Sequence, residues 1–143
     1  MIRQANANDA LAIRKLLLQM GYPANINDLG RSLNAVKGHN DHQVLVYEMN
    51  KEAAGFIALH FVPPLASYNT LAIINYLAVE ERYLGQGIGK ALEQAAEKLA
   101  WERGCDHIQL HCRLEREKAH GFYKSRGYKE YPVYYSKILI YAE

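Results

Sequence analysis

The chain has 143 residues, half of them hydrophobic, and 17 Lys plus Arg against 15 Asp plus Glu give a formal net charge of +2. That length predicts a single globular domain over residues 1–143 with a real core, and the composition excludes disorder. The balanced charge argues against a nucleic-acid surface, no apolar stretch is long enough to span a membrane, and the opening MIRQANANDA lacks the apolar centre of a signal peptide.

Ile2 to Ala5 reads as a short strand. Asn8 or Asp9 is placed to cap a helix running through Met20, with Leu11, Ile13, Leu17 and Met20 as its apolar stripe. Gly21-Tyr22-Pro23 stops that helix, and Asp28 to Val36 reads as a second, shorter one. His42 to Met49 and Ala53 to Val62 pair as a hairpin about an Asn50-Lys51 turn. Pro63-Pro64 ends the hairpin, and Ser67-Tyr68-Asn69 leads into an apolar run, Leu71 to Val79, predicted to be the central strand. A glycine-rich loop follows, then a long helix packed through Ile88, Leu92, Ala95, Ala96 and Leu99 and closed by Gly104 in a left-handed conformation. His107 to Cys112 reads as a buried strand, Arg116 to Arg126 as a helix closed by Gly127, and Val133 to Tyr141 as a final strand. With no repeat, linker or low-complexity tract, the expected class is α+β, helices flanking a mixed sheet.

Cys105 and Cys112 bound the strand His107 to Cys112, and their odd separation directs them to opposite faces, so they cannot bridge each other. A reducing, cytoplasmic setting is expected. His111 and Cys112 are neighbours pointing opposite ways on a strand, so Cys105, His107, His111 and Cys112 do not converge as metal ligands, and no metal is expected.

The segment 71–103 carries most of the chemistry. A strand feeding Gly85-Gln86-Gly87-Ile88-Gly89-Lys90 and then a helix is a device for holding phosphate: glycines admit close backbone approach, unpaired N–H groups point at the anion, and the helix dipole adds positive potential. Leu84 stands where a P-loop needs its first glycine and Ala91 where it needs a hydroxyl residue. The glycines run G-x-G-x-G, one residue short of the dinucleotide fingerprint. Three glycines could also serve only a tight turn; the preceding strand and Lys90 at the helix start favour the anion.

Residues 116–129 read Arg-Glu-Lys-Ala-His-Gly-Phe-Tyr-Lys-Ser-Arg-Gly-Tyr-Lys. Together with the loop, this segment resembles the GCN5-related N-acetyltransferase (GNAT) family. In that family a (Q/R)-x-x-G-x-(G/A) loop holds the pyrophosphate of acetyl-coenzyme A, and a later A-x-x-F-Y-x-x-x-G-(F/Y) helix brings a tyrosine to the cofactor sulfur. Gly87 and Gly89 fit the loop, and Ala119, Phe122, Tyr123, Gly127 and Tyr128 fit the helix in order. Leu84 departs from the family's Gln or Arg, and Ile73 lies near the place where many members carry a glutamate base.

The resemblance implies an acyl-coenzyme A N-acyltransferase fold and acetyl-coenzyme A as acetyl donor. It implies cofactor contacts from the Leu77-Ala78-Val79 backbone, from Leu84, Gly85, Gln86, Gly87, Ile88, Gly89 and Lys90, and from Arg116, Ala119 and Phe122. A backbone N–H of Leu77 or Ala78 is the expected oxyanion donor. Tyr123 is the expected proton donor to the departing thiolate, because a phenol with a reference pKa of about 10 is protonated at neutral pH. The general base stays open between His111, His60 and a water chain; His120 reads as a partly exposed helix histidine, and Arg116 as a cofactor-phosphate contact or a solvated residue. The resemblance places the acceptor pocket at Met20 to Asn27 and the C-terminal strands, where Tyr22, Tyr131, Tyr134 and Tyr135 suggest an aromatic rather than acidic lining. The expected acceptor is a small-molecule or peptide amine, with no nucleic acid, no membrane and a homodimer left open. The alternative is a non-catalytic acyl-coenzyme A-binding module.

Overall fold

The computed structural model describes residues 1–63, 65, 69–113, 115–131 and 135–140. They fall into two compact units, Met1–His111 and Cys112–Glu143.

The first unit is built on a five-stranded mixed sheet in the order β1 (Ile2–Gln4), β2 (His42–Met49), β3 (Glu52–Val62), β4 (Leu71–Val79), β5 (His107–Leu110). β1 to β4 run antiparallel, and β5 lies parallel to β4. Positive φ at Asn50 and Lys51, 51° and 66°, turns the β2–β3 hairpin, a role asparagine fills at low cost. α1 (Ala10–Gln19) and α2 (Ile26–Lys37) pack on one face through Ile13, Leu16, Leu17 and Leu33 against Val46 and Phe56. Side chains alternate along β3, so Gly55, Ile57 and Leu59 face the other way. There α3 (Ile88–Glu102) brings Ile88 and Leu92 so close to Gly55 that an added Cβ would lie 3.0 Å from the Ala78 carbonyl and 3.1 Å from Ile88.

Several expected boundaries move. α1 is preceded by a 3-10 turn, Ala7–Asp9, capped by Asn6; Asp9 stands at the N-cap of α1 itself but makes no side-chain cap bond there. Asn6 Oδ1 accepts from the Asn8 N–H at 2.9 Å, and Asp9 reaches back to the Asn6 N–H at 2.9 Å, a reciprocal capping box. Asp9 is also held by Arg3 through two hydrogen bonds of 2.8 Å. Leu11 is exposed, and Leu16 takes its place in the buried stripe. α2 is longer than expected because Asn25 caps it, accepting from the Asn27 and Asp28 N–H groups. β5 stops at Leu110 and alternates exposed and half-buried, so the expectation of a fully buried strand fails; among the described residues it is the last strand of the sheet.

The second unit contains α4 (Glu117–Ser125), closed by Gly127 at φ +91°. The expected final strand is not seen over residues 135–140, which have no regular secondary structure. Ile138, Leu139 and Ile140 are 84%, 68% and 88% exposed there, and among the described residues no neighbouring strand gives this β-prone sequence a ladder. Pro64, Ser67, Tyr68, Val133, Tyr134 and Tyr141, which entered the sequence reading, lie outside the described residues.

Candidate active site

β4 pairs with β5 only from Leu71↔His107 to Ile74↔Leu110. Beyond that point β4 continues for five residues, Asn75 to Val79, alongside β3 and, among the described residues, no other strand. The departure coincides with a bulge: Ala58 opposes Tyr76 and Leu59 opposes Ile74, leaving Asn75 as the extra residue on β4. A bulge sharpens the local twist and re-aims side chains, and here Asn75 and Tyr76 are both exposed in mid-strand. Among the described residues, the β5-side edge of Asn75 to Ala78 has no strand beside it and so is available to a ligand's amides.

Val79 is treated differently. Its carbonyl accepts from Gln19 Nε2 at 2.9 Å, while Gln19 Oε1 accepts from the Glu81 N–H at 3.3 Å. The last residue of α1 therefore fastens the end of β4, and Val79 offers a ligand less free backbone than Leu77 and Ala78. On the other side, the Glu80 N–H donates to the Ala54 carbonyl at 2.8 Å. Arg82 is engaged by Glu80 at 2.8 Å and lies over the Tyr83 ring, away from the role of a first-position loop arginine.

After a 3-10 turn at Glu81–Tyr83, the loop runs through Leu84 to Gly87, all exposed. Gly85 and Gly87 have φ of +80° and +82°, which only glycine adopts cheaply. Gly87 is the N-cap of α3 and contributes no side-chain cap; the first helical bond is from Ala91 N–H to its carbonyl at 3.0 Å. Among the described residues, the amides of 85 to 90 have no backbone acceptor, so six N–H groups cluster where the helix dipole is positive. Lys90 is exposed on the first turn, and Ile88 is buried, anchoring the helix rather than meeting solvent. This is a fitting cradle for a pyrophosphate. Leu84, 61% exposed, adds an apolar side chain beside it.

Aromatic groups gather where α1 meets β4. Tyr76 stacks on Phe56 with centroids 6.4 Å apart, and Tyr22, from the α1–α2 loop, meets Tyr76 edge-on at 5.7 Å. Tyr131 and Tyr135, which belong to the second unit, are exposed.

In the second unit, Tyr123 is half-buried on α4 between two rings, Phe122 at 5.3 Å and Tyr128 at 5.5 Å, both edge-on. The Tyr128 N–H donates to the Tyr123 carbonyl at 3.0 Å, closing the helix through Gly127. His120 Nε2 lies 2.7 Å from the Arg113 carbonyl, a structural contact that binds the helix to its approach. Arg116 is the N-cap residue, and Ala119 is half-buried one turn before Tyr123. Burial raises the Cys112 thiol above its ordinary value, with Arg116 opposing. Cys105 is raised in the same way by burial, and both cysteines are free. Among the described residues, no group of His, Cys, Asp and Glu could hold a metal ion, and no helix is long and apolar enough to cross a membrane.

Sequence reasoning did not find Gln19, whose role depends on the angle at which α1 meets β4 and leaves no local signal. Asn75 did leave one: a polar residue inside the run LAIINYLAV hints at an interrupted ladder.

The sequence profile of the acetyltransferase (GNAT) family matches residues 12–128. The aminoalkylphosphonate N-acetyltransferase of Salmonella typhimurium is 34% identical over 90 residues, 63% of this chain and 58% of that enzyme's length. A transcriptional regulator from Bacillus halodurans C-125 superposes with a TM-score of 0.88 at 24% identity, over 97% of this chain and 99% of its own. The aminoglycoside acetyltransferase meta-AAC0020, from an uncultured soil metagenomic sample and solved with trehalose, gives 0.81 at 22% identity, over 98% and 96%. These solved structures share the fold.

Proposed function

The chain belongs to the acetyltransferase (GNAT) family, and on that premise we propose that it is an N-acetyltransferase moving the acetyl group of acetyl-coenzyme A to a primary amine of a small molecule or peptide. The observation that carries this reading is the stretch of β4 from Asn75 to Ala78, without a β5 neighbour, running into the amide cluster of 85 to 90. A thioester carried on a long amide-containing arm with a pyrophosphate at its far end matches that order of groups.

Leu77 and Ala78 bind the arm through their backbone, and one of their N–H groups steadies the carbonyl oxygen as charge develops on it. Gly85, Gln86, Gly87, Ile88, Gly89 and Lys90 hold the pyrophosphate through amides, with the Lys90 ammonium adding charge. Tyr123 supplies the proton that the departing thiolate takes up. The family motif supports cofactor-binding roles for Arg116, Ala119 and Phe122 on α4 as well. The names of two relatives support an amine acceptor, since aminoalkylphosphonates and aminoglycosides both carry one. The aromatic group of Tyr22, Tyr76 and Phe56 supports an acceptor with an apolar or weakly cationic portion rather than a polycation. Free Cys105 and Cys112 support a reducing, cytoplasmic setting.

Calorimetric titration tests the cofactor half of this reading. Acetyl-coenzyme A and coenzyme A should both bind at the loop, and ATP should not. Binding of ATP alone would replace the reading with a nucleotide-binding one.

A further inference from the structure

Removing a proton from the acceptor's ammonium is the step that the residues of β4 leave without an agent, because Leu71 to Val79 contains no carboxylate and no imidazole. The register between β3 and β4 supplies a candidate. His60 lies directly opposite Ile73, two positions before the bulge at Asn75. Residues opposite each other in an antiparallel pair share a face, so His60 stands on the face that carries Ala58, Tyr76 and Phe56. It is half-buried, and it is not an isolated core histidine. The His42 ring, its register partner on β2, lies 4.2 Å from it between centroids, and the His39 ring lies 5.3 Å from that of His42. The three imidazoles run from the sheet face to an exposed residue in the α2–β2 loop.

We propose that His60 is the general base of the acetyl transfer, set in an imidazole cluster that reaches the exposed His39. This rests on the N-acetyltransferase reading above. The ammonium N–H bond breaks and its proton moves to an imidazole nitrogen of His60. The freed amine forms the C–N bond to the acetyl carbon, the C–S bond breaks, and the thiolate takes up a proton while the nitrogen loses its second one. One proton per turnover reaches solvent.

Burial, then the adjacent His60 and His39, hold His42 below its ordinary value, against the opposing charge of Asp41. A second positive charge beside a protonated His60 is therefore disfavoured, so the cluster holds one proton at a time. Lys37, at the end of α2, lines a small cavity together with His42. Ile73 and Tyr76 on β4 bring no charge.

The test compares wild type with His60→Gln and His60→Ala in amine-dependent thiol release across pH. Thermal melts establish that each variant is folded. His60→Gln should lose about 10²–10⁴-fold in kcat/KM for an alkylamine, together with the acid limb of the profile, while coenzyme A affinity stays as in wild type. Added imidazole should restore part of the His60→Ala rate, and a weakly basic amine such as a hydrazide should be far less affected. If His60→Gln keeps the rate and the limb while wild type turns over, the base assignment is overturned and the N-acetyltransferase reading stands. Loss of the limb in His111→Gln instead would overturn it too. If wild type releases no thiol with any amine, it is the functional reading itself that fails.

Discussion

Gly87→Val changes one residue at the point where the loop becomes α3. Gly87 sits at φ +82° and ψ 10°, and nothing lies within 4 Å of where its Cβ would be. The protein itself therefore does not collide with the new side chain, and the cost comes from the backbone. A left-handed conformation costs an L-residue about 1–2 kcal/mol, with a β-branched one at the upper end. If the variant keeps the native φ, its melting temperature should fall by roughly 4–8 °C, and two methyl groups would crowd the surface that a pyrophosphate must approach. If it escapes to negative φ, the neighbouring amides turn away and the Ala91 N–H bond to the Gly87 carbonyl is strained. In both cases at least one amide–phosphate bond is lost. A hydrogen bond to a charged group is worth about 1.5–3 kcal/mol, so coenzyme A should bind roughly 10–150-fold more weakly. Calorimetry reads this directly. Gly30→Ala is the control: it lies inside α2 at ordinary φ with open space around it, so it should add about 0.5–1 kcal/mol of stability and leave binding alone. A folded Gly87→Val protein that binds coenzyme A as wild type does would refute the loop assignment.

Gly55→Ala places a methyl group 3.0–3.2 Å from the Ala78 carbonyl, Ile88 and Leu92, and should destabilise by about 1–3 kcal/mol in thermal or urea unfolding; an unchanged midpoint would mean that α3 is free to shift away. Tyr123→Phe keeps the ring between Phe122 and Tyr128 and should lower kcat by about 10²–10⁴-fold with little change in coenzyme A affinity. The deficit should shrink for thioesters of more acidic thiols, and a uniform deficit would count against proton donation. Asp9→Asn should lose about 1–3 kcal/mol at neutral pH by weakening the capping box and the Arg3 pair. Burial opposes ionisation of Asp9, but the Arg3 hydrogen bonds, the Asn6 N–H and the Arg3 charge outweigh it and lower its pKa from the ordinary 3.8. The stability Asp9 contributes is then present above that value and lost as pH falls through the depressed one, so the gap between variant and wild type should close in acid. A gap as large at about pH 2 as at neutral pH would contradict this.

The parts of the fold that were legible are those governed by local pattern. The run Leu71 to Val79 matches β4 at both ends, and His42 to Met49 matches β2, because each is short, rich in apolar and β-branched residues and bounded by turn residues, which favours a strand over a helix. Asp9 stands at the N-cap of α1, one of the two positions the sequence offers, but its carboxylate turns back to the Asn6 N–H and to Arg3 on β1 instead of capping α1, and the 3-10 turn before the helix is capped by Asn6. Residues 135–140 have strand composition, but a strand needs a partner that composition does not specify. In the candidate site, the glycine loop was visible because its φ requirements are written in glycine. The open edge of β4 is implied only through the family resemblance and the His60–Ile73 juxtaposition not at all, since both follow from register, which the bulges at Asn75 and between Tyr47 and Glu48 shift. Histidines 42 and 60 are eighteen positions apart in sequence, and only the hairpin puts them ring to ring.

The most direct measurement is free-thiol release from acetyl-coenzyme A by the full chain, run against a panel of small amines and amine-bearing peptides and followed by mass spectrometry of each acceptor. The account predicts thiol release that depends on one class of amine and a product heavier by one acetyl group in equal amount. Tight binding of acetyl-coenzyme A, with no amine in the panel raising thiol release above background, would contradict it and leave an acyl-coenzyme A-binding module in its place.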